Sequence, residues 1–284
     1  MLCRSVWKSY NHCVGNHMKE IKYGTTNTYL IKGTNGSVLF DTDWAGTFTS
    51  FCHAMGDAGE KVQDIRFILI SHFHPDHMGI AQEIADKGPV ICVADVQKDY
   101  VHSSDPILNR DKRAVFTPIK DDCIRTFTIE ESRELLSEVG IDGCVYHTPG
   151  HSDDSISLML DSGELFVGDL NPLYELELHR GTKIETTWNM LMDKKPKRVY
   201  YGHAPAVDLR SNPIGKLLGR SAPDDIYSLV KKITGYVDKG MPKEKIVRKT
   251  GADPVFVEDV TRMYVTHPGV SVQGILDRIE IKGK

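Results

Sequence analysis

No stretch of this 284-residue chain approaches the roughly 20 consecutive apolar residues that a membrane span needs. The first thirty residues hold no continuous apolar stretch, with Trp7, Tyr10 and Val14 set among polar neighbours, which gives no sign of a secretory leader. Cysteine is sparse and scattered, at positions 3, 13, 52, 92, 123 and 144, with no CxxC pair. That pattern excludes a disulfide framework and the common paired-cysteine zinc sites, and it fits a reducing, cytoplasmic setting. Neither sign of charge is in excess, since 35 Lys/Arg face 39 Asp/Glu for a net charge of -4. A balance of that kind lends no support to a general nucleic-acid-binding or membrane-surface protein. With 40% hydrophobic and 26% charged residues, the composition is that of a globular protein.

Against this background one segment is dense in chemistry: Ser71-His72-Phe73-His74-Pro75-Asp76-His77-Met78-Gly79. The apolar run Ile65-Arg66-Phe67-Ile68-Leu69-Ile70 before it has the length of a buried strand, and Gly79 to Ala85 after it reads as a helix start. The histidines therefore fall on a strand-to-helix loop, where a rigid scaffold presents functional side chains. Three imidazoles and a carboxylate pack poorly in an apolar core but suit a cation, since both are good zinc ligands. Further ligand-type residues follow on the same plan of apolar strand, then Gly-containing loop. They are His151 in Thr148-Pro149-Gly150-His151, Asp169 after Leu165-Phe166-Val167-Gly168, and His203 after Val199-Tyr200-Tyr201-Gly202.

The set His72-x-His74-x-Asp76-His77, then His151, Asp169 and His203, resembles the metallo-β-lactamase-fold hydrolase superfamily over residues 20 to 207. The likeness is to its dinuclear, glyoxalase II- and lactonase-like branch. The resemblance implies an α/β fold, an αββα four-layer sandwich with metals at one edge. It implies that His72, His74 and His151 bind one metal, that Asp76, His77 and His203 bind a second, and that Asp169 bridges them. Two zinc ions are the expected cofactors, with iron or manganese suited to the same nitrogen and oxygen donors. Paired dications lower the pKa of a shared water, and Asp76 and Asp169 are the residues expected to orient the resulting hydroxide in catalysis. The β-lactamases of this fold lack either the second histidine of the Asp-His pair as a ligand or the bridging aspartate. The oxygen-reducing diiron branch carries glutamate in place of His74. The implied activity is hydrolysis of an ester, lactone or thioester, and the alternative is a phosphodiesterase or nuclease on the same metals.

Elsewhere, Asn27–Ile31, a turn at Thr34-Asn35-Gly36 and Ser37–Phe40 predict a hairpin. Asp41 at its end is read either as a residue that orients a metal ligand from behind, as the resemblance implies, or as a turn cap. Tyr174 either hydrogen-bonds a developing oxyanion, as in some lactonases of the superfamily, or packs its loop. Residues 99–127 read as a polar, irregular insertion and a candidate substrate wall. Thr128-Ile129-Glu130-Glu131 is a capping-box start to a helix that Gly140 ends.

Domain organisation reads as a hydrolase domain over 1–210, a linker over 208–224 and a helical C-terminal region over 221–284. Apolar residues at 226, 229, 230, 233 and 237 mark a first helix; Pro242–Lys249 and Pro254–Val265 give two more in a helix-turn-helix-like order. Eleven Lys/Arg against nine Asp/Glu in that region argue for a packing or homodimerising tail over a DNA reader. The expected partner is a small-molecule substrate, not nucleic acid or membrane; a metal-binding regulator using the tail is the non-enzyme alternative.

Overall fold

A computed structural model describes residues 18–112, 115–210 and 226–267, together with 272 and 275. Strand alternation builds two sheets. The first joins six strands in the order β1 (Met18–Ile21), β2 (Thr28–Lys32), β3 (Ser37–Phe40), β4 (Ile65–Leu69), β5 (Val90–Ala94) and β6 (Ile124–Phe127). The second runs β11 (Val207–Asp208), β10 (Arg198–Tyr200), β9 (Glu164–Phe166), β8 (Ile156–Leu160) and β7 (Gly143–His147). The hairpin forms as predicted, with Tyr29 opposite Phe40 and Lys32 opposite Ser37.

Period two decides which layer each strand residue enters. Tyr29, Ile31, Val38, Phe40, Phe67 and Leu69 point inward to meet Val145, Ile156, Leu158, Phe166 and Tyr200 of the other sheet. Aromatic rings dominate that seam, with Phe166 stacked 4.9 Å from Tyr200 and tilted 5.2 Å from Tyr29. The alternate residues Leu30, Leu39, Ile68 and Ile91 face outward onto α1 (Phe48–Asp57) and the short α2 (Pro75–Met78) and α3 (Ala81–Ala85). On the other flank Leu165, Val167 and Val199 pack with Trp188 and Leu191 of α6 (Lys183–Asp193). The result is the expected αββα sandwich.

Two expectations need correction. Residues 99–127 are not wholly irregular: α4 (Asp105–Leu108) interrupts them, and Ile124–Phe127 is the edge strand β6, parallel to β5. Val101, Leu108 and Ile119 are buried in the outer core. Two apolar residues around Arg125 and Thr126 make too short a run to signal a strand, and an edge position tolerates such polarity. Asp208, expected in the linker, pairs with Arg198 in β11; residues 211–224 lie outside the described residues. The capping box is present, Thr128 N–H donating to Glu131 Oε2 at 2.9 Å ahead of α5 (Ser132–Ser137).

The tail helices are α7 (Ile226–Val237), α8 (Lys243–Thr250) and α9 (Pro254–Thr266). They share a core of Val230, Ile233, Ile246, Phe256, Val257 and Val260. Asp253 caps α9 through Val255 N–H at 2.7 Å, and Gly251 ends α8 at φ 69°. Among the described residues no helix is long and apolar enough to cross a membrane.

At the sheet end remote from the histidines, Glu60 is 8% exposed and accepts from Lys19 at 2.6 Å and Lys32 at 2.8 Å. These lysine hydrogen bonds hold its carboxyl below the usual glutamate range. A depressed folded pKa stabilises above the unfolded value, about 4.3, and that gain disappears as pH falls through the folded pKa. Glu60→Gln should therefore cost about 0.5–1 kcal/mol at pH 7, because both lysines are half in water. Thermal melts of the two proteins should converge near pH 3.

Candidate metal centre

All seven sequence-derived candidates lie at one end of the sandwich, where strands of both sheets finish. His72 and His74 follow β4, His151 sits between β7 and β8, Asp169 follows β9 and His203 follows β10. Asp76 and His77 belong to the single turn α2 and not to a loop, with Pro75 at its first position. Backbone bonds close the two sheets over this end: Ile156 N–H donates to Ser71 O at 2.7 Å and Asn27 N–H to Gly202 O at 2.7 Å.

The seven fall into two groups, His72/His74/His151 and Asp76/His77/Asp169/His203; within each, the donor atoms lie within 4.8 Å of one another. In the first, His74 Nδ1 stands 3.0 Å from His72 Nε2 and 3.1 Å from His151 Nε2. In the second, His203 Nε2 is 2.9 Å from Asp76 Oδ2 and His77 Nε2 is 3.3 Å from Asp169 Oδ1. Asp169 reaches both groups, its Oδ2 lying 3.5 Å from His203 Nε2 and 3.8 Å from His151 Nε2.

These donors fit a cation better than they fit one another. His77 Nε2 and Asp169 Oδ1 are buried, and neither completes a hydrogen bond. Three imidazole nitrogens converge in the first group, where one N–H can serve only one neighbour. Nitrogens about 2.0–2.1 Å from a tetrahedral zinc stand roughly 3.3 Å apart, close to the spacing found. Burial first, then the neighbouring imidazoles, holds His72 well below the ordinary histidine value, in the neutral form that ligation requires. Burial also lowers His151. For His77 burial acts downward, but the carboxylates of Asp41 and Asp169 outweigh it and lift the imidazole well above its usual range. Burial opposes ionisation of Asp76, yet the His203 hydrogen bond and nearby imidazoles keep its carboxyl at about 2. His77 is fully enclosed, whereas the His203 side chain is 39% exposed, so the centre opens on the His203 side.

The residues behind the donors fix which nitrogen faces inward. Asp41 is 1% exposed and adopts φ 62°, a left-handed conformation that aspartate tolerates at a cost of about 1–2 kcal/mol. The strain is held by Asp41 N–H donating to Leu69 O at 2.9 Å and by Ser71 N–H donating to Asp41 Oδ1 at 2.6 Å. It aims Asp41 Oδ2 at His77 Nδ1, 3.0 Å away, which leaves Nε2 toward the centre. Between the two readings of Asp41, this geometry favours the orienting one. Asp41→Asn should weaken metal uptake at the His77 group by about 10–100-fold while the trihistidine group is spared; isothermal titration with zinc on the two proteins checks it.

Four supporting residues went unrecognised in the sequence. Ser71 Oγ lies 3.0 Å from His72 Nδ1, and so turns His72 Nε2 inward. Thr25 O accepts from His203 Nδ1 at 3.1 Å, and Asn27 Nδ2 donates to Tyr201 O and Ala204 O on either side of that histidine. Thr26 Oγ donates to Asp76 O at 2.7 Å. The polar run Gly24-Thr25-Thr26-Asn27 ahead of β2 was the available signal, but turn residues of this kind are common without a site. The Tyr174 side chain lies outside the described residues. His147 bonds Asp153 O at 2.8 Å and stays out of both groups.

Fold and donor geometry together define an αββα sandwich with a two-centre His/Asp site at one edge. The chain matches the metallo-beta-lactamase superfamily over residues 21–203 and belongs to that superfamily. It is 27% identical over 199 residues to the Beta-lactamase-like protein 2 homolog of Drosophila melanogaster, covering 68% of this chain and 62% of that one. The homolog of the same name in Caenorhabditis elegans is 25% identical over 252 residues, 85% of this chain and 70% of that one. A solved metallo-beta-lactamase family protein from Thermus thermophilus shares the fold at 16% identity, with TM-score 0.53 and coverage of 89% and 95%. Another solved structure, in a di-iron-bound form, shares it at 20% identity, TM-score 0.50 and coverage of 70% and 94%.

Proposed function

We propose that this protein is a dinuclear metal-dependent hydrolase acting on a carboxylic ester, lactone or thioester. The observation that carries the reading is Asp169, whose two oxygens reach toward both donor groups at 3.3–3.8 Å. When bound, two dications would lower the pKa of a water between them and polarise the scissile group. Zinc suits the donors, as do iron and manganese, and the di-iron-bound fold neighbour makes iron worth assaying.

The chain's own part is positional. Asp169 would hold the two donor groups together, and Asp76, kept ionised and anchored by His203, would accept a hydrogen bond from the attacking water and so orient it. His72 and His77, enclosed at 1% and 0% exposure, form a dry floor that strengthens these electrostatics. No serine or cysteine nucleophile is required. The four described cysteines are free thiols, and the reading extends to a cytoplasmic, reducing location.

One feature favours the phosphodiester alternative. Over the whole tail the charges nearly cancel, but between residues 231 and 249 seven Lys/Arg face two Asp/Glu. Lys231, Lys232, Lys239, Lys245 and Arg248 are exposed on or beside α7 and α8, and Lys249 sits 5.8 Å over the Tyr236 ring. Exposed cations in number, one of them over an aromatic ring, suit a polyphosphate strand. Elemental analysis, then side-by-side turnover of aryl ester, lactone, thioester and bis-aryl phosphodiester substrates, separates the readings. Faster turnover of the phosphodiester would replace the first with the second.

A further inference from the structure

Phe73 is the residue between the two histidines of the first arm, and its peptide is pinned from both sides. Its N–H donates to Asp154 Oδ2 at 2.7 Å, and its carbonyl accepts from Ser104 Oγ. Asp154 is 2% exposed and comes three residues after His151, on the connection between β7 and β8. One buried carboxylate thus links the loop carrying His72 and His74, from the first sheet, to the loop carrying His151, from the second. Gln97, fully buried, completes the joint. Its Nε2 donates to Ile70 O at 2.9 Å and to Asp154 O at 3.2 Å, while its Oε1 accepts from Ala94 N–H at 3.3 Å.

From this we infer that Asp154 is a positioning residue that assembles the trihistidine group and has no comparable hold on the Asp76/His77/Asp169/His203 group. The physical reason is the stiffness of a charge-assisted bond to a backbone N–H in a buried site. The peptides flanking Phe73 set the directions in which His72 and His74 leave the chain. Fixing that unit to the His151 loop brings Nε2 of His151 to 3.1 Å from His74 Nδ1 across 77 residues of sequence. Without the carboxylate, the Phe73 N–H is left buried and unpaired, and the segment carrying His72 and His74 keeps only its backbone ties to the His151 loop, through Gln97 and through Ile156 N–H to Ser71 O. The inference rests on the dinuclear reading for its metal consequences, while its effect on the loop stands apart from them.

Two readouts test it on the full chain. Cobalt(II) titration, followed by the d–d spectrum, is expected to give two equivalents for the natural protein. Asp154→Ala is expected to keep one tight equivalent while the other weakens by about 10–100-fold, the usual scale for losing an outer support. Hydrogen–deuterium exchange on the metal-free proteins should be faster in Asp154→Ala by about tenfold or more at residues 71–75, and unchanged in α6. Asp154→Asn keeps the shape and an acceptor oxygen, so it should show a smaller loss at the same group only. Equal weakening at both groups, or wild-type affinity with unaltered exchange at 71–75, would overturn the role of Asp154. Failure of the natural protein to take up cobalt would overturn the dinuclear reading instead, and the exchange experiment would still decide Asp154.

Discussion

Asp169→Ala will lose hydrolysis by on the order of 10³-fold or more, the scale on which a preorganised electrostatic group contributes to turnover. It will also lose metal. The side chain is the one carboxylate of the seven candidates that approaches both donor groups, so its removal separates them. His77 Nε2 would then keep only the more distant Asp76 Oδ2, 3.8 Å away, and His151 and His203 would lose their shared neighbour at 3.8 and 3.5 Å. The fold itself should survive, since Asp169 contributes no apolar burial to either sheet seam. His74→Ala acts from the other side by removing the nitrogen placed centrally in the trihistidine group, and it should be comparably inactive. Metal content by mass spectrometry and turnover of the best substrate are measured on the same preparations. Turnover at the natural rate in a variant stripped of metal would contradict the proposed chemistry outright.

The second large effect is expected at a residue with no side chain. A Cβ on Gly202 would lie 2.4 Å from Asp169 Oδ1 and 2.9 Å from His77 Cε1. The backbone there cannot retreat, because Gly202 N–H donates to Gly168 O at 2.6 Å and its carbonyl accepts from Asn27 N–H at 2.7 Å. Gly168, at φ 55°, is itself packed against Ser71, whose Oγ would meet an added Cβ at 2.3 Å. Gly202→Ala must therefore swing the Asp169 carboxylate out of line, with a loss of about 10²-fold in kcat/KM from misplacement alone. Overpacking should cost about 1–3 kcal/mol of stability as well. Gly56→Ala is the control. That position has nothing within 4 Å, lies in α1, and should be neutral or slightly stabilising. Equal activity in Gly202→Ala and Gly56→Ala would show that the close approach does not matter.

Much of this centre was legible along the chain. His72, His74, Asp76, His77, His151, Asp169 and His203 each follow an apolar run, and strand alternation is a local property that needs no partner to be read. The hairpin at Asn35-Gly36 and the capping box at Thr128 are local in the same sense. The run of cations between residues 231 and 249 was obscured because counting over the whole tail averaged it against acidic residues such as Asp253, Glu258 and Asp259. The edge strand β6 was missed because its two apolar residues gain meaning only beside β5.

By itself the sequence determined the apolar strands and the seven candidate ligands at their ends, since each depends on neighbours a few residues away; the two-layer sandwich and the grouping of the seven came from the resemblance those motifs carry. Tertiary structure alone decided that His74 turns Nδ1 inward where its partners use Nε2, that Asp41 accepts a left-handed backbone to hold His77, and that Asp169 spans both groups. Those outcomes depend on contacts such as His203 with Asp76, 127 residues apart. The orientation of an imidazole is set by whatever packs against its far side, and no local pattern encodes that neighbour.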